Sequence, residues 1–355
     1  LISLIATVLN EGQSIHRLMR SLAAQTCLPD EVVIVDGGSR DDTVALIQSY
    51  ADKLPLRVLI EPGCNISQGR NRAIAAAQGD IIAVTDAGVE LAPNWLENLT
   101  RPLIDNPGIQ WVGGFFTAQA TTRFELAMGA TVLPLVDEIN PATFLPSSRS
   151  VAFRKPVWEA VGGYPEWLDY CEDLIFDLRV KEVTSRQLPV ARQNQSESSR
   201  PETGNSKLET GFALAPDALV AFRPRSSLRA FFKQYYLYAR GDGKADLWRK
   251  RHAARYLTYL VAAPLILALG LGIHPLLWLL FVPGAVYYFG QPYRRLHILL
   301  QNPENSRLLE SGNLKLEAYL LIPVIRVVGD IAKMLGYPVG WWWRLRNHPP
   351  DWRTI

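Results

Sequence analysis

Three acidic residues, Glu11, Asp36 and Asp86, each follow a short β-branched run, ISLIATVL, EVVIVD and DIIAVT respectively. Carboxylates can accept hydrogen bonds from a base N–H or a ribose hydroxyl, and they can hold a divalent cation beside a diphosphate. Taken one at a time, each also fits a capping role: Asp36 before GGSRDDT can start a turn. Asp41 and Asp42 are better read as N-caps of the next helix. Other chemistries find no support. The turn after the first run reads TVLNEGQS, without the GxGxxG that admits a dinucleotide pyrophosphate. Cys27, Cys64 and Cys171 form no CxxC and no Cys/His cluster, so they read as reduced thiols, not as a disulfide framework or a zinc site.

The elements that must position these carboxylates alternate regularly from Leu1 to about Trp111. Between the strands ISLIATVL, EVVIVD, LRVLIE and DIIAVTD lie helical patterns near Ser14 to Ala24, Asp42 to Ala51 and Gln68 to Ala77. Such alternation is the signature of a parallel sheet built from βαβ units. In an open α/β sheet the C-terminal strand ends surround the ligand crevice, so Glu11, Asp36 and Asp86 are expected to converge there.

Across 355 residues, 37 basic and 34 acidic side chains leave a net charge of +3, which gives no polybasic pull toward nucleic acid. Hydrophobic residues make up 48%, concentrated toward the C-terminus. The opening LISLIATVL has no basic n-region or small-residue cleavage site, so a secretory signal peptide is not expected. Residues 192–207, almost without apolar side chains, read as a flexible surface insertion. From Tyr256 to Gly290 there is no Asp, Glu, Lys or Arg, a run of about 35 residues where one spanning helix needs roughly 20. His274-Pro275 breaks it near the middle, and Arg249, Lys250, Arg251, Arg255, Arg294 and Arg295 flank it. Two short spans with both flanks cytoplasmic fit better than one bent span; a buried helical hairpin in a soluble protein is the alternative. In residues 314–346, Arg326, Asp330 and Lys333 share one stripe of a helix that ends in Trp341, Trp342 and Trp343. That pattern suits either an interfacial anchor or packing against the rest of the chain.

The segments TVLNE, VDGGSRDDT, GRNRA, TDAG and CEDLIFDLR, in this order, resemble a family 2 glycosyltransferase. The resemblance covers Leu1 to about Trp248. It implies a GT-A fold: an α/β nucleotide-sugar-binding domain with a mixed, mainly parallel sheet, here followed by an α-helical membrane-associated region. It also implies a nucleotide-sugar donor and transfer with inversion. By position, Thr7 and Glu11 would line the nucleotide pocket, Asp36 would accept from N3–H of a uracil-like base, favouring a UDP- or dTDP-linked donor, and Arg70 would lie near the diphosphate. A helix-surface salt bridge is the competing reading for Arg70 and Arg72. Asp86 holds the first position of the family's Asp-x-Asp. Gly88 replaces the second, which usually contacts Mg2+ or Mn2+, leaving Asp86 with donor phosphates and waters to hold a divalent cation. Glu172 and Asp173 match the family's Glu-Asp pair, with Asp173 the general base that takes the acceptor's proton.

The expected organisation is a GT-A domain over residues 1–230, an acceptor or lid segment over 231–255 with Gln234, Arg240 and Asp242, a transmembrane hairpin over 256–290 and an amphipathic interfacial helix over 314–346. Processive members carry Gln-x-x-Arg-Trp where Gln234 is followed by Leu237 and Tyr238, so single additions are expected. The expected partners are the donor, a lipid-linked or glycan acceptor and membrane lipids, with the catalytic domain on the cytoplasmic side of the cell membrane and a role in cell-envelope glycan or glycolipid synthesis. The alternative reading, kept by Gly88, is a non-catalytic sugar-nucleotide-binding scaffold in a polysaccharide assembly complex.

Overall fold

The computed structural model describes residues 1–193, 211–303, 305 and 312–353. The polar segment 192–207 therefore lies, from residue 194 on, outside the described residues. The chain forms two compact units, one of Leu1–Thr117, Ile139–Phe222 and Asp351–Ile355, the other of Ala118–Glu138 and Arg223–Pro350.

The first unit is built on one sheet. Its elements are β1 (Ile2–Val8), α1 (Ile15–Ala23), β2 (Glu31–Asp36), α2 (Thr43–Gln48), β3 (Leu56–Ile60), α3 (Ile66–Ala76), β4 (Ile81–Val84), β5 (Val89–Leu91), α4 (Trp95–Asp105), β6 (Trp111–Ala118), β7 (Val151–Arg154), α6 (Lys155–Ala160), α7 (Glu172–Gln193) and β8 (Phe212–Phe222); α5 belongs to the other unit. The strand order is β3-β2-β1-β4-β7-β6-β8-β5. The strands read from the sequence, β1 to β4, pair in parallel, while β7 meets β4 and β6 antiparallel, and β5 meets β8 antiparallel. Alternation along the strands feeds two cores. Leu4, Ala6, Val8, Val32 and Ile34 enter one, and Ile5, Val33 and Val35 enter the other on the opposite face. A strand buried on both faces reads as a nearly continuous apolar run, as β1 and β2 do. From β3 at one edge the chain crosses back to lay β4 beside β1, and such a reversal opens a crevice at the C-terminal strand ends.

The second unit is helical: α5 (Arg123–Val132), α8 (Leu228–Ala245), α9 (Arg249–Leu257), α10 (Ala263–Gly272), α11 (Phe281–Leu299) and α12 (Gly312–Asn347). Residues 118–138, expected inside the first unit, belong here because Ala127 and Met128 of α5 bury against Phe231 and Ile325, and Leu126 and Ala130 against Leu296, Ala318 and Ile322. Glycines let α8 and α12 touch backbone to backbone. A Cβ on Gly336 would strike the Tyr236 carbonyl, and one on Gly340 the Arg240 carbonyl. Helix α8, which holds most of the expected acceptor or lid segment, thus packs on α12 around Tyr236 and Arg240. Gln234 donates to the Tyr238 hydroxyl at 2.7 Å, and Asp242 lies 3.2 Å from His252 Nε2.

The apolar run folds into a helical hairpin at His274-Pro275. Tyr259 meets Tyr288 hydroxyl to hydroxyl at 2.9 Å, and Trp278 Nε1 donates to the Leu267 carbonyl at 3.4 Å, an antiparallel register. Leu260, Leu265, Leu271, Leu276, Leu280 and Val286 are all exposed. Arg249–Gly272 is the one helix among the described residues long and apolar enough to cross a membrane. In α12 apolar side chains lie on both faces, with Ile322, Ile325 and Ala332 buried. Asp330 is buried and takes hydrogen bonds from Arg255 and Tyr288, while Val324, Ile331, Leu335, Val339, Trp341 and Trp342 are exposed. Burial pulls the Lys333 ammonium down to about 8, although Asp330 beside it favours its charge.

Candidate active site

Helix α3 organises the site. Asn65 caps it in a reciprocal pair with Gln68, the Gln68 N–H donating to Asn65 Oδ1 at 2.9 Å and the Asn65 N–H to Gln68 Oε1 at 3.0 Å. Gly69 brings the helix against β1, for a Cβ there would stand 2.8 Å from Thr7 Cγ2. That close approach carries Arg70 inward. Its Nη1 donates to Glu172 Oε1 at 2.7 Å and its Nη2 to Asp86 Oδ1 at 2.8 Å, with the Arg70 side chain 3% exposed. The surface salt bridge considered for Arg70 is therefore excluded. Arg72 alone makes one, with Glu61.

Asn71, which the sequence reading passed over, ties down the loop that delivers the Glu-Asp pair. Its Oδ1 accepts from the Tyr164 N–H at 2.9 Å and from Trp158 Nε1 at 3.1 Å, and its Nδ2 donates to the Tyr164 carbonyl at 2.9 Å. Gly162 and Gly163 take φ of 71° and 72°, the left-handed region that their lack of a Cβ permits. Tyr164 is buried, with its ring 4.2 Å from that of Phe176 and its hydroxyl 3.0 Å from Ser148 Oγ. Cys171 holds φ of 65°, uncommon for a residue with a side chain, and turns the chain into α7 at Glu172.

At the start of α7 three carboxyl groups share one buried environment. Desolvation and the neighbouring Asp173 push Glu172 up to about 7 against the pull of Arg70. Desolvation also raises Asp173, with Arg70 and Arg149 opposing it. Asp177, one turn on and fully buried, is raised well above the ordinary carboxylate range by desolvation and by Asp173. One face of Asp173 is fixed, since its Oδ1 accepts the Leu174 N–H at 2.9 Å in the positive end of the helix. A carboxylate with raised affinity for a proton, partly open at the end of a helix, suits a general base.

The nucleotide-side candidates lie at the strand ends. Thr7, Glu11, Val35, Gly37, Cys64 and Asn65 are among the residues lining a cleft of about 270 Å³. Asp36, 1% exposed, folds back on its own loop: Oδ2 accepts from the Gly38 and Ser39 N–H groups at 2.9 and 2.8 Å, and Oδ1 from the Ser39 hydroxyl. The turn-starting role is realised, and one lone pair on Oδ1 remains for a further donor. Asp42, not Asp41, holds the N-cap position of α2 and its side chain makes no cap hydrogen bond, while Asp41 accepts from the Thr43 N–H at 3.1 Å in the turn ahead of the helix.

Asp86 faces two guanidinium groups, Arg70 on Oδ1 and, across 3.4 Å, Arg149 Nε on Oδ2. Among the described residues no three His, Cys, Asp or Glu side chains converge as metal ligands, and a Cβ at Gly88 would meet open space. As arranged, these groups do not fit a divalent cation held by the protein alone, because the one carboxylate available to it is already neutralised. Arg149 is the second participant that sequence reasoning missed.

Residues 3–152 match the family model for glycosyl transferase family 2. The chain is 34% identical over 106 residues to the uncharacterized glycosyltransferase YibD of Escherichia coli (strain K12), covering 30% of this chain and 31% of that protein. It is 32% identical over 124 residues to glucosyl-3-phosphoglycerate synthase of Petrotoga mobilis (strain DSM 10674 / SJ95), covering 32% and 38%. The chain thus spans about a third of the length of these relatives. Among solved structures, the mannosyltransferase PcManGT from Pyrobaculum calidifontis, in complex with GDP-Man and Mn2+, superposes with a TM-score of 0.53 at 17% identity over 95% of this chain and 86% of that one. Match and strand order agree: residues 3–152 are similar to glycosyl transferase family 2, and the fold is that of the GT-A glycosyltransferases.

Proposed function

We propose that the chain is an inverting glycosyltransferase that moves a sugar from a nucleotide-sugar donor to an acceptor held at a membrane, lipid-linked in chemistry. The observation that carries the reading is the bridge Asp86–Arg70–Glu172, which brings the donor side of the crevice and the Glu172-Asp173 pair to one guanidinium. The nucleotide would occupy the cleft of Thr7 and Glu11, and a uracil or thymine base would donate N3–H to the remaining lone pair of Asp36. The acceptor hydroxyl then attacks the anomeric carbon as its proton passes to Asp173. The bond from that carbon to the diphosphate oxygen breaks on the opposite face, and its electron pair leaves with the nucleotide. Arg70 orients Glu172 and Asp86 around this line.

The membrane part of the reading is supported by the exposed apolar hairpin and by the outward apolar face of α12. At about 1.5 Å per residue, the uncharged part of the first hairpin helix, 256–272, reaches roughly 25 Å, close to the hydrocarbon thickness of about 30 Å. A chain fixed at the bilayer meets a bilayer-held acceptor at raised effective concentration and restricted orientation. Gln234, Arg240 and Asp242 belong on that acceptor side of the proposal only through their place on α8.

The test is thermal unfolding of the detergent-solubilised chain with UDP-, dTDP- and GDP-linked sugars. A stabilising shift with one nucleotide class supports the donor reading, because ligands that bind the native state raise apparent stability. No shift with any of them contradicts it.

A further inference from the structure

We propose that Arg149 binds the donor diphosphate and supplies, beside Asp86, the positive charge that a metal ion recruited by a second motif carboxylate would bring. The proposal rests on the reading of the crevice as a nucleotide-sugar site.

Arg149 stands just ahead of β7, and two aromatic rings from neighbouring strands hold it. Its guanidinium lies 4.7 Å from the ring centroid of Phe222 on β8 and 6.0 Å from that of Phe116 on β6. This fixes the cation against Asp86 Oδ2 at 3.4 Å, a looser pairing than the 2.8 Å contact of Arg70 with Oδ1. The two arginines differ in exposure. Arg70 is 3% exposed and tied to Glu172 as well, whereas the Arg149 side chain is 24% exposed. The exposed edge of Arg149 can present N–H groups to a phosphate oxygen while the two rings hold it, and Arg70 stays as a strut. The planar fork of arginine matches phosphate oxygens. The field of Arg149 reaches Asp173 too, where it favours the ionised form. One cation thus serves both ends of the reaction: it neutralises charge arriving on the phosphate oxygen as the anomeric C–O bond breaks, and it keeps the base ionised until the acceptor proton arrives.

Isothermal titration of UDP, dTDP and GDP into the purified full chain, in detergent with EDTA, tests this directly. Wild-type protein is expected to bind at least one nucleotide in EDTA. Arg149→Gln is expected to weaken that binding roughly 10- to 100-fold, the range of a lost hydrogen bond to a charged group. Arg149→Lys, which keeps the charge but loses the fork, should fall between them, and Arg101→Gln on the surface of α4 should bind like wild type. The thermal midpoint of each variant identifies any that has lost its fold, in which case Arg149→Lys carries the comparison. Binding by Arg149→Gln equal to wild type overturns the proposal, as does wild-type binding that needs Mn2+. In both of those results the donor-site reading survives. Wild-type protein that binds no nucleotide with or without Mn2+ overturns the donor-site reading itself, and this inference with it.

Discussion

Arg70 and Glu172 are 102 positions apart, yet they meet at 2.7 Å with both side chains almost wholly buried. A charge pair taken from water is costly unless its remaining groups are satisfied. Here Nη2 of Arg70 is satisfied by Asp86 while its buried Nε has no hydrogen-bond partner among the described residues, so this buried cation is committed to holding two acidic segments together. The stiffness of the proposed catalytic centre follows from that triple.

The Glu172 carboxyl, lifted to about 7 from its ordinary 4.5, makes stability depend on pH with a defined sign. The native state holds this proton more tightly than the unfolded chain does. Its stabilising contribution is full below about pH 4.5 and is lost as pH rises through about 7. Thermal midpoints measured from pH 4.5 to 8 should fall less steeply for Glu172→Gln than for wild type.

Asp173 must be ionised to accept a proton, and burial raises its affinity for one. The acid limb of the kcat/KM profile is therefore expected above the ordinary carboxylate range. Because the Arg149 charge lowers the Asp173 value, Arg149→Gln should move that limb to higher pH. An unmoved limb would separate Arg149 from the base.

Asn71→Ala removes four hydrogen bonds, three of which tether Tyr164 and Glu166 in the loop before α7 and one of which holds Trp158 on α6. A loss of about 1–3 kcal/mol in unfolding free energy is expected from the buried partners left unsatisfied. Turnover should fall with nucleotide affinity nearly retained, since the loop positions Asp173 and not the nucleotide cleft.

Gly69→Ala places a methyl 2.8 Å from Thr7 Cγ2 and should cost about 1–3 kcal/mol. Thr7→Ser removes that methyl. The double variant should recover most of the loss, a coupling that denaturant unfolding of the four proteins would measure.

Much of this was legible in sequence because local pattern and local structure coincide. The apolar runs of β1 and β2 are buried on both faces, and Arg70, Asp86, Glu172 and Asp173 sit in segments with recognisable order. What escaped notice depends on long-range placement. Asn71 differs from any exposed helical amide only by the loop that returns to it 93 residues later. Arg149 is set by rings on β6 and β8, strands that lie past the region where strand and helix alternate. The periodicity of α12 gave its amphipathic stripe but not which side faces inward. Asp330 is buried because Arg255 and Tyr288 arrive from other helices to satisfy it.

The most direct test follows label from nucleotide sugar into the lipid extract of membranes containing either wild-type chain or Asp173→Asn. For the donor class that stabilises the protein, wild type is expected to transfer label. The variant should bind the same nucleotide equally well and transfer slower by roughly 10²- to 10⁴-fold, the usual contribution of a positioned general base. Equal transfer by both proteins would contradict the account.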